Sequence, residues 1–314
     1  MGRIVSTRIV GALLALGLSV LPAWAAEKVT LLYVSAGSFV GSFIARDQGY
    51  FEQHGLDVDL SLAQNGSTIP AALVADSAQI GVPTPTVMLQ ANEQGLDLVV
   101  IGGASVYPGT PNTTGVIARA DSGIKGPRDL AGKKVGVPGF GGGLDILSKK
   151  WVQSNGIDYH KVDWVELQFP QMGDALKGGL VDAVASINPF YTRVIDSKVG
   201  YRIGDYSDAV PPGTVAGVYV STRAWATKHA AALKGFRAAL DDADAYIKDP
   251  AHLTAVRDSI AKYTRLPPQA AATIDLPTNL KPHVTPEGVR FWIEVSREQG
   301  LIKGNPAPAS LIAP

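Results

Sequence analysis

The chain has 314 residues, equal numbers (28 each) of basic and acidic side chains, and no cysteine. This balance offers no excess of Lys and Arg for nucleic-acid binding, and the lack of cysteine excludes disulfide scaffolds, thiolate metal sites and cysteine nucleophiles. The length is about twice that of a typical domain and 46% of the residues are hydrophobic, so the sequence predicts two folded lobes.

Residues 1–25 have the pattern of a secretory signal peptide. Arg3 and Arg8 accompany an apolar stretch, Ile9–Leu21, and a small-x-small cleavage pattern ends at Ala25. The apolar stretch is shorter than the roughly 20 residues that a membrane-spanning helix needs, which favours export over anchoring. We therefore predict cleavage after Ala25 and a location in the periplasm of a double-membraned bacterium.

The first half of the remaining chain alternates short β-branched runs with amphipathic stretches. This alternation predicts an α/β fold with mostly parallel sheets flanked by helices. The predicted strands are Lys28–Val34, Leu56–Leu62, Gln79–Val82, Leu96–Gly103 and Thr114–Arg119. Helices are predicted after the first three of these strands, the third of them beginning near Pro85.

The second half repeats this order of elements. The predicted strands are Lys134–Val137, Val162–Leu167 and Ala183–Ile187, and the predicted helices are Leu144–Ser154, Met172–Lys177 and a helix from Pro189 through Ile195. A helix end, a short turn, a strand and a proline follow one another in both halves, after Leu73 and after Leu176. We interpret this faint similarity as a structural repeat. The alternative is that the same order of helix, turn, strand and proline recurs by chance, as it does in many α/β proteins.

The last third is predicted to be mainly helical. After a strand at Thr214–Ser221 come a long helix, Ala224–Lys248, and two shorter ones, Leu253–Tyr263 and Val289–Gln299. Thr114–Arg119 and Thr214–Ser221 are interpreted as two crossover strands that form a hinge. The expected division is 26–116 with 218–314 for lobe I, and 117–217 for lobe II.

The motifs of common enzymes and metal sites are absent from the sequence. The five histidines have no metal-ligand spacing, and there is no Gly-x-Ser-x-Gly elbow. The glycine-rich stretch Gly139–Gly143 departs from both nucleotide-binding patterns, because neither the third glycine nor a Gly-Lys-Ser/Thr ending follows it. The sequence therefore predicts no catalytic residue, no metal and no cofactor.

Polar loops follow five predicted strands, where helices are expected to begin. In open parallel sheets this edge binds ligands, and these loops offer hydroxyls, amides and backbone N–H groups without a general base. Ordinary helix capping is the alternative role for the same residues, and core packing for the aromatic ones. The candidate ligand-binding residues are Ser35, Ser38, Phe39, Asn65, Gly66, Ser67, Thr68, Pro83, Thr84, Tyr107, Phe140, Gly141, Gly142 and Asn188.

Several motifs resemble the periplasmic solute-binding proteins for nitrate, sulfonates, taurine and thiamine-pyrimidine precursors. They lie in order between Val29 and Ser221 and include Gly49-Tyr50-Phe51, Asn65-Gly66-Ser67-Thr68, Ala78-Gln79-Ile80-Gly81, Lys134-Val135-Gly136-Val137-Pro138 and Gly179-Leu180-Val181-Asp182-Ala183. The resemblance implies a type II periplasmic binding protein: two α/β lobes and two crossovers, closing on a small molecule. It also implies delivery to an inner-membrane ABC permease with its ATPase, by a protein that we expect to be a monomer.

The expected ligand is a small anion of the aliphatic sulfonate, taurine or nitrate class. Pyrimidine-binding members often carry an acidic residue where this chain has Asn188, yet a neutral heteroaromatic ligand stays open as the alternative. Two other classes also stay open. One is an exported hydrolase, with Asp145 and His160 as its candidate pair. The other is a sensor module that acts on a separate receptor chain.

Overall fold

The computed structural model describes Gly2 and residues 26–107, 113–266, 276–277 and 280–314. Apart from Gly2, the predicted signal peptide lies outside the described residues. The described residues form two five-stranded sheets, each flanked by helices. Among these residues no helix has both the length and the apolar character required to cross a bilayer.

The sheet of lobe I is built mostly from the first part of the chain. Its strands are β1 (Glu27–Tyr33), β2 (Leu56–Leu62), β3 (Ile80–Gly81), β4 (Leu98–Val106) and β10 (Val215–Thr222). Their spatial order is β2-β1-β3-β10-β4. β1 pairs in parallel with β2 and β3, whereas β10 runs antiparallel to β3 and β4.

The sheet of lobe II comes from one continuous part of the chain. Its strands are β5 (Thr114–Arg119), β6 (Lys134–Val137), β7 (Asp163–Glu166), β8 (Ala183–Ile187) and β9 (Gly200–Gly204). Their order is β7-β6-β8-β5-β9, which repeats the pattern of the other sheet with β5 in the place of β10. The two sheets therefore share one strand arrangement, in agreement with the repeat inferred from the sequence.

The helices lie on the faces of both sheets. Those of the first part are α1 (Val40–Asp47), α2 (Tyr50–Gln53), α3 (Ile69–Val74) and α4 (Pro85–Glu93). Those of lobe II are α5 (Gly143–Ser154), α6 (Met172–Lys177) and α7 (Phe190–Asp196). The last part of the chain contributes α8 (Arg223–Lys228), α9 (Ala230–Lys248), α10 (Leu253–Thr264) and α11 (Pro286–Glu298).

Two sequence predictions were wrong. The helix predicted over Ala224–Lys248 is interrupted at His229, whose ring stacks on Trp225 and whose Nδ1 lies 2.5 Å from Glu27. These contacts depend on the folded chain, so the Ala-rich sequence gave no sign of the break. Strand β9 was not predicted, because glycines at both of its ends and two exposed residues hide its β pattern.

The chain passes from one sheet to the other after β4 and returns between β9 and β10, at residues 205–214. The two crossings contact each other: the Tyr107 N–H donates to the Thr214 carbonyl at 2.8 Å, and the Gly213 N–H donates to the Tyr107 carbonyl at 2.7 Å. The strands interpreted as crossovers, β5 and β10, each lie within one sheet, directly after a crossing. The lobe boundaries at 116/117 and 217/218 stay a prediction; they fall within these two strands.

The core of lobe I is held by aromatic side chains from its C-terminal helices. Phe236 of α9 is fully buried and stacks on Phe51, with ring centroids 5.6 Å apart. Tyr219 of β10 packs edge-on against Phe236. Trp292 of α11 donates its indole N–H to the Val215 carbonyl at 2.7 Å, which ties α11 to the start of β10. The C-terminal helices are thus part of the lobe I core.

Candidate functional site

Three polar loops of lobe I follow the parallel strands β1, β2 and β3, so they lie at one edge of the sheet. The loop after β2 is shaped by Asn65, whose Oδ1 accepts from the Ser67 N–H at 3.1 Å and from the Ser67 hydroxyl at 2.6 Å. The Thr68 hydroxyl donates to the Asn65 carbonyl at 3.1 Å. Ser67 and Thr68 are exposed, while Asn65 and Gly66 are half-buried.

The loop after β3 leads into α4. The Thr84 hydroxyl caps this helix by accepting from the Val87 N–H at 3.4 Å, and it lies 2.9 Å from the buried Thr86 hydroxyl. Pro83 is buried beneath the neighbouring loop: a methyl group added at Gly66 would lie 3.8 Å from the Pro83 Cα. The second and third loops are therefore in contact.

The loop after β1 carries Ser35, Ser38 and Phe39. The Ser35 hydroxyl donates to the Thr264 carbonyl at the end of α10, at 3.3 Å. Ser38 is half-buried. The Phe39 ring is 5% exposed and packs edge-on against Tyr219, so it belongs to the lobe I core. The role of Phe39 as a ligand contact stays a prediction.

The glycine-rich loop of lobe II follows β6. Gly141 adopts φ +71°, a left-handed conformation that favours glycine, and its N–H donates to the Asp145 carboxylate at 2.9 Å. The Lys149 ammonium lies 2.8 Å from the same buried carboxylate. Phe140 projects from this loop with 55% of its surface exposed, and Lys149 lies 5.9 Å from the centre of its ring.

Asn188 follows β8 and is 6% exposed. Its Oδ1 accepts from the Thr192 N–H at 3.1 Å and from the Thr192 hydroxyl at 2.7 Å, which fixes the orientation of the amide. The other end of the amide, Nδ2, is buried and has no hydrogen-bond partner among the described residues. A buried donor without a partner costs free energy, so this group is well suited to a ligand atom that accepts a hydrogen bond.

An aromatic residue, Phe190, follows Asn188 two residues further along the chain. Phe190 is 5% exposed, lies outside both hydrophobic cores and stacks on Phe169, with ring centroids 5.6 Å apart and planes 6° apart. Phe169 belongs to the short 3-10 turn Phe169–Gln171 that follows β7. These two rings therefore form a stacked pair at the edge of the lobe II sheet, in which Phe190 is buried and Phe169 is partly exposed.

Tyr107 lies in the first crossing and is 7% exposed. Burial raises the pKa of its hydroxyl, and the nearby Asp205 carboxylate raises this pKa further. Asp205 follows β9 and accepts from the Thr114 hydroxyl at 3.1 Å and from the Ser207 N–H at 2.9 Å. Tyr107 thus lies in a buried polar cluster at the hinge.

The polar loops of the two lobes face each other. A methyl group added at Gly37 would lie 3.9 Å from the Asn188 carbonyl oxygen, and one added at Gly143 would lie 3.4 Å from Thr84 Cγ2. Gln90 of α4 donates to the Gly141 carbonyl at 3.0 Å. These contacts bring the five predicted loops together at the boundary between the lobes, rather than scattering them over the surface.

Sequence reasoning missed Gln90, Phe169 and Asp205. Gln90 lies in the second turn of α4, away from any loop motif, and only the packing of the lobes brings it to Gly141. Phe169 and Asp205 each lie just beyond a strand of the lobe II sheet. The expectation that ligand-binding residues follow the ends of the strands could have found Phe169, because it follows the predicted strand Val162–Leu167. It could not have found Asp205, because β9 was not recognised.

The proposed hydrolase pair finds no support in the geometry. The Asp145 carboxylate is engaged by Gly141 and Lys149, and His160 is exposed with its ring against Tyr159, 4.2 Å between centroids. No hydrogen bond joins Asp145 to His160 within the part of the chain that the structure describes. Within the same part, no group of three or more His, Asp and Glu side chains could hold a metal ion.

Comparison with known proteins identifies the family. The NMT1/THI5-like family matches residues 36–252. A formylaminopyrimidine-binding protein of Halalkalibacterium halodurans is 31% identical over 217 residues, which cover 64% of this chain and 62% of that protein. The match thus spans less than two thirds of the length of this curated relative.

Solved structures establish the fold. The periplasmic aliphatic sulphonate binding protein SsuA from Escherichia coli superposes with a TM-score of 0.77 at 22% identity, over 91% of this chain and 97% of that one. The periplasmic nitrate-binding protein NrtA from Synechocystis PCC 6803 gives 0.74 at 12% identity, over 91% and 85%. The two five-stranded sheets fit this similarity. The chain belongs to the NMT1/THI5-like family and has the type II periplasmic binding protein fold.

Proposed function

We propose that this protein is the solute-binding component of an ABC importer and holds a small ligand in its interlobe cleft. The convergence of five polar loops from two hinged lobes, without an acid–base pair among them, carries this proposal. The protein with its bound ligand would then deliver the ligand to an inner-membrane permease with its ATPase. Its relatives' names and the predicted signal peptide support a periplasmic location, and we expect it to act as a monomer.

The first candidate ligand is a small anion such as an aliphatic sulfonate, taurine or nitrate. The buried Nδ2 of Asn188 is a donor and requires an acceptor atom, which sulfonate and nitrate oxygens supply. The α4 N-terminus at Thr84 faces the start of α5 at Gly143, and the first turns of helices favour negative charge. Solved structures of sulfonate- and nitrate-binding proteins share the fold.

A neutral heteroaromatic compound is the second candidate ligand. The relative named as a formylaminopyrimidine-binding protein supports it, and so does the partly exposed Phe169 ring of the stacked pair, because aromatic rings stack on one another. A formyl oxygen or a ring nitrogen would also accept from Asn188. The two candidates differ in charge, which makes them easy to separate by experiment.

Ligand binding would favour the closed arrangement of the lobes. A molecule that contacts Ser38 and Thr84 of lobe I and Asn188 of lobe II gains its cross-lobe contacts only when the cleft is closed. Micromolar affinity corresponds to about −8 kcal/mol. A few buried hydrogen bonds and one aromatic contact are sufficient for this, once the cost of ordering the ligand is met.

A thermal-shift panel tests the proposal, with ethanesulfonate, taurine, nitrate and a formylaminopyrimidine as probes. A ligand that binds only the folded state raises the melting midpoint, and titration calorimetry then gives its affinity. Small-angle scattering at saturation should show a smaller radius of gyration. If no probe shifts the midpoint, or if a tight ligand leaves the radius unchanged, the proposed closure on these ligands is wrong. Mass spectrometry of the recovered ligand tests the hydrolase alternative, since turnover would change its mass.

A further inference from the structure

The end of α10 lies at the rim of the interlobe cleft. A methyl group added at Gly37 would lie 3.8 Å from Ile260 Cγ2 and 3.9 Å from the Asn188 carbonyl, so α10, the first loop and lobe II meet at one point. One helical turn later, the Thr264 carbonyl accepts the Ser35 hydroxyl. Residues from the distant C-terminal part of the chain therefore border the predicted site.

Arg265 is the first residue beyond α10 and ends this helix. Its φ of 57° and ψ of 36° are left-handed, and the Leu266 N–H donates to the Ala261 carbonyl at 3.0 Å, a common way for a helix to end. The side chain is exposed, and among the described residues its positive charge has no ion-pair partner.

The neighbouring cation shows the contrast. The Lys262 ammonium lies 2.6 Å from the Asp47 carboxylate, which also accepts from the Ser259 hydroxyl at 2.7 Å and from the Tyr263 hydroxyl at 2.9 Å. Asp47 therefore anchors α10 and neutralises Lys262. Arg265, three residues further on, is left as the charge available to a ligand.

Few hydroxyls of lobe I are left to donate to a ligand. Ser35 donates to Thr264, and Ser67 and Thr68 donate to Asn65. A hydroxyl whose proton is already committed presents only lone pairs to the cleft, and lone pairs repel an anion. Of the predicted serine and threonine site hydroxyls of lobe I, only those of Ser38 and Thr84 are left to donate to an anionic ligand, and a cation beside them would strengthen its binding.

We propose that Arg265 is the residue through which lobe I binds the anionic group of the ligand, beside Ser35 at the cleft rim. This inference rests on the proposed function and deepens it, since it assigns an oxyanion ligand, such as a sulfonate. The planar guanidinium donates two parallel hydrogen bonds to such oxygens. The Tyr33 hydroxyl at the end of β1 donates to the Tyr263 carbonyl at 3.2 Å, so the chain at Arg265, two residues later, lies near the end of β1.

The Arg265→Gln variant tests this role by titration calorimetry with ethanesulfonate and with nitrate. We expect the affinity for both anions to fall about 30-fold, while the affinity for a neutral formylaminopyrimidine changes less than about twofold. Arg265→Lys keeps the charge but loses the planar fork, so its loss should be intermediate. Arg290→Gln, on α11, removes the same charge from an exposed position and is the matched control.

Equal losses in Arg265→Gln and Arg290→Gln would overturn the proposal, because the effect would then be one of net charge. Wild-type protein that binds the neutral pyrimidine and neither anion would also overturn it. Crystals soaked in bromide give a readout that needs no natural ligand: an anomalous peak beside the Arg265 guanidinium should appear in wild type and vanish in Arg265→Gln. No peak in wild type refutes the anion site, whereas a peak without binding of any panel compound refutes only the proposed solute-binding function.

Discussion

The two lobes share one strand order, but they present different chemistry to the cleft between them. In lobe I the cleft hydroxyls of Ser35, Ser67 and Thr68 already donate within the lobe, so the loops are rigid and their protons are committed. In lobe II the Asn188 amide has a free buried donor and the Phe140 ring is largely exposed. One lobe is thus a preformed surface, and the other carries groups that need a ligand. Two lobes of the same fold can therefore differ in role: lobe I offers a rigid surface, and lobe II offers the groups that recognise the ligand.

The largest effect is expected from one substitution made in each lobe. Phe236→Ala empties a fully buried position that stacks on Phe51, and it should lower the free energy of unfolding by about 4 kcal/mol. Phe140→Ala in lobe II should change this free energy by less than about 0.5 kcal/mol, because the ring is exposed. Urea unfolding followed by circular dichroism measures both. Similar losses in the two variants would show that the Phe140 ring is packed in the folded protein rather than exposed.

A second pair of variants sharpens the contrast in hydrogen bonding. Asn188→Asp replaces the free Nδ2 donor with a charged oxygen, and we expect it to weaken the binding of ethanesulfonate about 100-fold. Asn65→Asp in lobe I keeps the oxygen that Ser67 uses and adds the same charge, so its effect should be several-fold smaller. Calorimetry compares them. Equal effects would mean that charge alone matters and that Asn188 has no special donor role.

Alkaline pH should destabilise the protein through a buried tyrosine of lobe I. Burial raises the pKa of Tyr219 to about 12, so the folded state favours the neutral hydroxyl. This stability is complete below the ordinary pKa of about 10 and is lost as the pH rises from 10 towards 12, by about 2 kcal/mol. Urea unfolding between pH 9 and 12 should show a shallower decline in Tyr219→Phe than in the control Tyr201→Phe, whose ring is 37% exposed. Identical slopes would contradict this expectation.

The smallest effect is expected in the loop after β2. Because the hydroxyls of Ser67 and Thr68 are committed to Asn65, the double variant Ser67→Ala/Thr68→Ala should lower ligand affinity only about fivefold and leave the protein folded. Affinity and melting midpoint can be measured on one sample. Wild-type affinity in the double variant would remove this loop from the site.

Local patterns in the sequence predicted most of the fold. Strands such as Leu56–Leu62 and Ala183–Ile187 have the predicted bounds, because β-branched runs bounded by glycine or polar residues are local signals. The break at His229 and the strand Gly200–Gly204 depend on tertiary contacts and were missed. The expectation that ligand-binding residues follow the ends of the strands predicted the loops of the cleft. It could not reveal Gln90 or Arg265, whose positions depend on packing between segments far apart in sequence.

The continuity of lobe II has a consequence for how the protein reaches its native state. All strands of its sheet come from residues 114–204, whereas the sheet of lobe I is incomplete until β10, at 215–222, takes its place between β3 and β4. Because the chain is synthesised from its N-terminus, the sheet of lobe II can therefore be completed before the sheet of lobe I. Strands β3 and β4 keep unpaired edges until β10 has been synthesised, about a hundred residues after β4. Unpaired strand edges raise the risk of aggregation during folding.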